Sequence, residues 1–113
     1  LGVLQEALQT DATNDRIHFN LALLYNELDD PARTEKHLAK AVALKSRNPR
    51  VYYNFGLLLQ QQGRTREAIA MLRRGLNLSP VDADISRALC VLYVQSSQID
   101  KAEQLGCTGF DGR

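Results

Sequence analysis

The sequence predicts an all-α solenoid of antiparallel helix pairs, and two observations carry that reading. The first is self-similarity: shifted by 34 residues, the chain matches itself in residue type. Leu21, Phe55 and Leu89 share a column, as do Ala22, Gly56 and Cys90, then Leu24, Leu58 and Leu92, then Tyr25, Leu59 and Tyr93. Leu4, Leu38 and Leu72 continue the register, with Ala7, Ala41 and Gly75, Leu8, Val42 and Leu76, and Leu44 with Leu78. The second observation is that each period holds two apolar stripes at three- and four-residue spacing, the mark of amphipathic helices. Such units bury their apolar faces only against neighbouring units, so they stack into an extended array.

Taken in order, residues 1–9 match only the trailing helix of a unit, through Leu4, Ala7 and Leu8. The first complete unit opens with a helix over 15–28, striped by Ile17, Leu21, Leu24, Tyr25 and Leu28. Asp29-Asp30-Pro31 interrupts it: Asp30 suits a helix N-cap, and Pro31 suits the first helical position, where no N–H is needed. The partner helix, 31–45, carries Leu38, Ala41, Val42 and Leu44 and ends at Ser46-Arg47-Asn48-Pro49. In the second unit, Val51, Tyr52, Phe55, Leu58 and Leu59 stripe a helix over 49–62. Gly63 ends that helix by taking the left-handed conformation without strain. Thr65 is placed to cap the next, 65–78, which holds Ala68, Ile69, Leu72, Gly75, Leu76 and Leu78. Pro80 closes the unit and Asp82 caps a helix over 83–96 with Ile85, Leu89, Leu92 and Tyr93. A last helix over 99–105 holds Ala102, but Gly106 then stands in the column of Leu38 and Leu72. Three glycines within 106–112 do not sustain a helix. The expected organisation is an array over 1–105, with a trailing helix in 1–14, units over 15–48 and 49–82 and a partial unit over 83–105, then an irregular tail over 106–113.

Composition narrows the function classes. With 44% hydrophobic and 24% charged residues the chain is an ordinary soluble domain. A formal charge of +1 gives no basic excess for nucleic acid. No apolar run approaches the roughly 20 residues that span a bilayer. The chain opens in mid-pattern at Leu1 and reads as a segment of a longer protein, so it carries no information about a signal peptide. Cys90 sits in a small-residue column and reads as apolar filler, while Cys107 lies in the tail. Neither has metal or redox spacing, and compartment stays open, with a soluble cytoplasmic setting favoured and a periplasmic one allowed.

The second unit resembles the tetratricopeptide repeat, a pattern met by Tyr52, Phe55-Gly56, Leu59, Ala68, Leu72, Gly75 and Pro80. The first unit departs from it at His18, Thr34 and Ser46, and the third at Ser86. The resemblance covers about Leu1 to Leu105. It implies a right-handed superhelix whose leading helices line a concave face, and a role in holding other proteins. The RNA-binding pentatricopeptide type would need polar base-reading columns and a basic groove; here the columns are partly apolar.

On that resemblance the columns without core duty in the leading helices form the candidate groove. They are Arg16, Arg50 and Asp84; Phe19, Tyr53 and Arg87; Asn20, Asn54 and Ala88; Leu23, Leu57 and Val91; and Asn26, Gln60 and Val94. Glu27, Gln61 and Gln95 mark the rim. The expected peptide-binding residues are Arg16, Phe19, Asn20, Leu23, Asn26, Arg50, Tyr53, Asn54, Leu57, Gln60, Arg87 and Val91. Aromatic and apolar area suits a protein interface. Stacked asparagines offer a donor and an acceptor to an extended backbone, as in the asparagine ladder of peptide-binding arrays. A two-carboxylate clamp is disfavoured: Phe19 and Leu23 stand where Lys and Asn would be needed, and Asp84 and Ala88 where Lys and Arg would be. Only Asn54 matches.

No nucleophile–base pair is evident, and no enzyme activity or cofactor is expected. His18 and His37 fall on different helices without further ligands, so packing or surface roles are expected rather than metal binding. The run Arg33, Lys36, Lys40, Lys45, Arg47 and Arg50 reads as a solvated face. The expected partner is a protein or peptide held in the groove, with no nucleic acid and no membrane span. The alternatives are an assembly scaffold that self-associates through its repeat ends and a regulatory arm of a larger protein. The end reading follows from the failure at Gly106, which would leave Leu89 and Leu92 uncovered unless the tail folds back through Phe110, and from Val3, Leu4 and Leu8 at the opposite end.

Overall fold

The computed structural model describes residues 14–107. Within them the chain forms six helices: α1 (Asp15–Glu27), α2 (Pro31–Ala43), α3 (Pro49–Gln61), α4 (Thr65–Leu78), α5 (Ala83–Gln95) and α6 (Ile99–Leu105). No strand occurs among the described residues. The expected helix over 1–9 and Phe110 lie outside them. Each helix packs on its neighbours in sequence, most densely within the pairs α1–α2 and α3–α4. The molecule measures 51 × 25 × 19 Å. Its radius of gyration, 15.3 Å, exceeds the roughly 13 Å of a compact 100-residue domain, as stacking in one direction requires.

The period is written in the backbone as well as in the side chains. Asn14, Asn48 and Asp82 cap the three leading helices, α1, α3 and α5. Their side-chain oxygens accept from Arg16 N–H at 2.9 Å, Arg50 N–H at 3.0 Å and Asp84 N–H at 3.0 Å. Each leading helix then ends on a residue of positive φ: Asp29 at 58°, Gly63 at 75° and Ser97 at 61°. The following N–H groups of Asp30, Arg64 and Gln98 donate back to Tyr25, Leu59 and Tyr93 at 2.9, 2.9 and 2.7 Å. This is the Schellman closure that satisfies orphan carbonyls at a helix end. Only Gly63 adopts it freely; Asp29 and Ser97 hold it against a cost of about 1–2 kcal/mol each.

The trailing helices start less uniformly. Asp30 caps α2 as expected, accepting from Arg33 N–H at 3.2 Å, with Pro31 in the first turn. Thr65 does not cap α4. It is the first helical residue, and the N-cap is Arg64, whose side chain makes no cap hydrogen bond and instead forks between Glu67 and Glu35.

The shared columns form one continuous core. It holds Ala22, Leu38, Ala41, Val51, Tyr52, Leu59, Ala68, Leu72, Ile85, Leu89 and Leu92, all buried. Leu44 and Leu78 are not part of it: both lie at the ends of trailing helices and stand exposed. Gly56 is where the pattern demands no side chain, since a Cβ there would lie 2.6 Å from Leu72 Cγ.

The C-terminal end corrects two expectations. Cys90 is not free filler; it forms a disulfide with Cys107. One period earlier, Leu72 of α4 closes on Gly56 of α3. Here the sizes are exchanged, with the glycine (Gly106) on the trailing side and the larger side chain (Cys90) on the leading one. Gly106 ends α6 at φ 87°, and Cys107 folds back on Cys90. Leu89 and Leu92 are therefore covered, each only 1% exposed, although α6 is half the length of α4.

Candidate functional site

The leading helices bring part of the expected groove together. Leu23 and Asn26 of α1 face Asn54, Leu57, Leu58 and Gln61 of α3 across a recess of about 90 Å³, floored by Ala22, Thr34 and Leu38. Four of the expected groove residues, Leu23, Asn26, Asn54 and Leu57, thus line one concavity. Leu38 belongs to a core column and Thr34 departs from the repeat pattern; their share in the floor emerges only where two units stack. Thr34 Oγ1 donates to Asp30 O at 2.8 Å, which leaves its methyl group for packing.

The other expected residues lie beside that recess. Phe19 and Tyr53 are half-buried and pack against the core. Arg16 and Asn20 are exposed on α1, Gln60 is half-buried on α3, and Arg87 and Val91 are exposed on α5. Asn54 has one amide commitment, Nδ2 donating to Arg50 O at 2.9 Å within its own helix.

Arg50 is held by its neighbours. Its guanidinium lies 4.2 Å over the Tyr53 ring, 3.3 Å from Asp84 and 3.5 Å from Asp82. Arg87 reaches Asp84 at 3.6 Å. These are partly exposed pairs and add little stability, but they tie α3 to α5 across one period.

Residues 16–82 match the family of YpiA-like, C-terminal tetratricopeptide repeats. The chain belongs to the tetratricopeptide-repeat family. Among characterised relatives, the type IV pilus assembly protein PilF of Pseudomonas aeruginosa is 35% identical over 69 residues, 61% of this chain and 27% of that protein. A solved structure of MamA superposes with a TM-score of 0.80 at 25% identity, over 90% of this chain and 60% of MamA. Pseudomonas aeruginosa PilF superposes with a TM-score of 0.76 at 28% identity, over 90% of this chain and 47% of PilF. The chain therefore spans less than two thirds of the relatives it matches. Tetratricopeptide repeats are protein-interaction modules, and no described helix is long and apolar enough to cross a membrane.

The departures from the repeat pattern in the first unit have a structural explanation. His18 occupies the Tyr52 column and His37 the column of Met71. The two rings are buried and stacked, with their Nδ1 atoms 3.1 Å apart, so one donates to the other. Tyr25 stacks on His37 from the other side. Burial, then His18, Lys36 and Lys40, hold the His37 pKa below the ordinary histidine value. The pair is a packing contact, and among the described residues no three metal-ligating side chains gather.

Proposed function

We propose that the concave face of α1, α3 and α5 holds an extended peptide of a protein partner, anchored by one aliphatic side chain in the recess between Leu23 and Leu57. The supporting observation is the chemistry of that recess: an apolar floor ringed by the amides of Asn26, Asn54 and Gln61. At about 90 Å³ it is smaller than the roughly 150 Å³ cavity that takes a benzene ring. It suits a valine- or leucine-sized anchor, with the amides meeting the peptide backbone. Asn20, Phe19 and Tyr53 extend the surface toward the helix N-termini, and Val91 continues it on α5.

The test is selection of peptides from a displayed random library on this chain. Selected peptides carry an aliphatic anchor, and Asn54→Ala weakens them by about 1 kcal/mol, the worth of one hydrogen bond, without loss of helix content by circular dichroism. Unchanged affinity in an Asn20→Ala, Asn54→Ala double variant removes the asparagine reading.

A second reading, assembly through repeat ends, rests on exposed apolar side chains in the C-terminal half. Leu78, Val81 and Ile99 are exposed, Val81 at 92%. Under either reading the chain works by binding rather than catalysis. PilF is described as a pilus assembly protein, which accords with a scaffold role in a larger machine.

A further inference from the structure

The joint between the two complete units carries a second recess that shares no residue with the concave groove. It measures about 420 Å³ and lies where the α2–α3 turn meets the C-terminal end of α4. Lys45 and Arg47 line it from the turn, Arg74, Asn77 and Leu78 from α4, and Tyr52 stands at its back. No carboxylate is among the lining residues. Arg33, Arg50, Arg64 and Arg87 each meet an aspartate or glutamate, whereas Lys45, Arg47 and Arg74 form no ion pair among the described residues. Arg16, Arg66 and Arg73 are likewise without an ion pair among the described residues, so what marks these three cations is that they line one recess together.

The recess is also preorganised. Ser46, between the two turn cations, is buried and fixed by three hydrogen bonds: its N–H donates to Ala41 O at 3.1 Å, its Oγ accepts from Asn48 N–H at 3.2 Å, and its carbonyl accepts from Tyr52 OH at 2.8 Å. Lys45 is set outward by a positive φ of 58°. The Arg74 guanidinium lies 5.0 Å over the Tyr52 ring, a stacked position that leaves its N–H edge for a ligand. Cations near the C-termini of α2 and α4 also suit the helix dipoles. Dipole compensation alone does not call for a recess with an aromatic back wall and an exposed leucine at its mouth.

From this arrangement we infer a binding site for an acidic peptide segment of a protein partner, its carboxylates meeting Lys45, Arg47 and Arg74 and an apolar neighbour packing on Leu78. The net charge of +1 and the confined size favour a short acidic segment over a nucleic acid, which needs an extended basic track. At the equivalent joint after α4, Ser79 and Val81 replace the two turn cations, so the site occurs once in the two complete units.

The test is fluorescence anisotropy with a labelled peptide of alternating aspartate and leucine, beside a control with serine for aspartate. The intact chain binds the acidic peptide more tightly than the control, and added salt weakens it. A Lys45→Gly, Arg47→Ala variant, in which glycine keeps the left-handed backbone, loses about tenfold or more in affinity, as does Arg74→Gln. Asn54→Ala in the concave groove leaves this binding unchanged, which separates the two sites. Equal binding by the cation variants with helix content intact, equal binding of the serine control, or no binding by the intact chain overturns the inference. So does tighter binding of an RNA oligonucleotide or of phosphatidylserine vesicles than of the peptide.

Discussion

Gly56 and the His18–His37 pair are decided by what they touch one helix away. A Cβ on Gly56 would lie 2.6 and 2.8 Å from Leu72 Cγ and Cδ2, at the branch of a fully buried side chain that has nowhere to move. Gly56→Leu therefore lowers stability by about 1–3 kcal/mol, visible as a fall in the thermal midpoint. Coincident melts of variant and parent would overturn the packing assignment. The His18–His37 contact predicts a pH dependence. Its hydrogen bond needs one neutral Nδ1 acceptor, and burial holds the His37 pKa below that of the unfolded chain. The unfolded state then binds more protons than the folded one. Stability is complete above the unfolded value of about 6.5 and falls as the pH drops through it toward the lower folded value. Thermal melts between pH 8 and pH 5.5 show this slope. A His18→Tyr, His37→Met variant, which grafts the residues of the second unit, flattens it.

At the scale of elements, the helices were legible because each signal is local. Asn48-Pro49, Asp30-Pro31 and Gly63 announce starts and stops through their own backbone preferences, and the structure places α3, α2 and the end of α3 accordingly. Two features were not legible from residue type alone. Asp29 and Ser97 take the same left-handed turn as Gly63 although neither is a glycine, and the next N–H closes on Tyr25 O and Tyr93 O respectively. The Cys90–Cys107 bond joins a helix to a segment of glycine-rich sequence whose path no periodicity fixes. The same holds for the candidate groove: the columns named its walls, Leu23 and Leu57, but not its floor at Thr34 and Leu38. The disulfide gives α6 a prediction of its own. With only seven residues, α6 is too short to persist unaided. Reduction, or Cys107→Ser, releases amide protection in Ile99–Leu105 while leaving α1 to α4 protected, as read by hydrogen exchange. The intact mass before and after reduction and alkylation shows whether the bond is present, and its persistence favours an oxidising compartment.

For the whole molecule, elongation leaves edges exposed that a compact domain would bury. Exposed Leu78, Val81 and Ile99 lie in its C-terminal half, where α6 is cut short. If these surfaces mediate assembly, sedimentation velocity shows the average mass rising with concentration, and Val81→Glu with Ile99→Glu returns it to a monomer. A constant monomeric mass across the range removes end-mediated assembly and leaves the groove as the working surface. The repeated joint has a consequence for how such a chain changes over generations. At Asn14, Asn48 and Asp82 the backbone is in the same extended state before each leading helix, with φ/ψ of −87/110°, −88/111° and −71/108°. A whole period inserted or removed there meets the same entry geometry on both sides and needs no new loop. A single added residue inside a helix instead rotates everything after it by about 100°, carrying groove residues into the core. The joint geometry therefore accommodates changes of length in whole units more readily than single-residue changes within a helix.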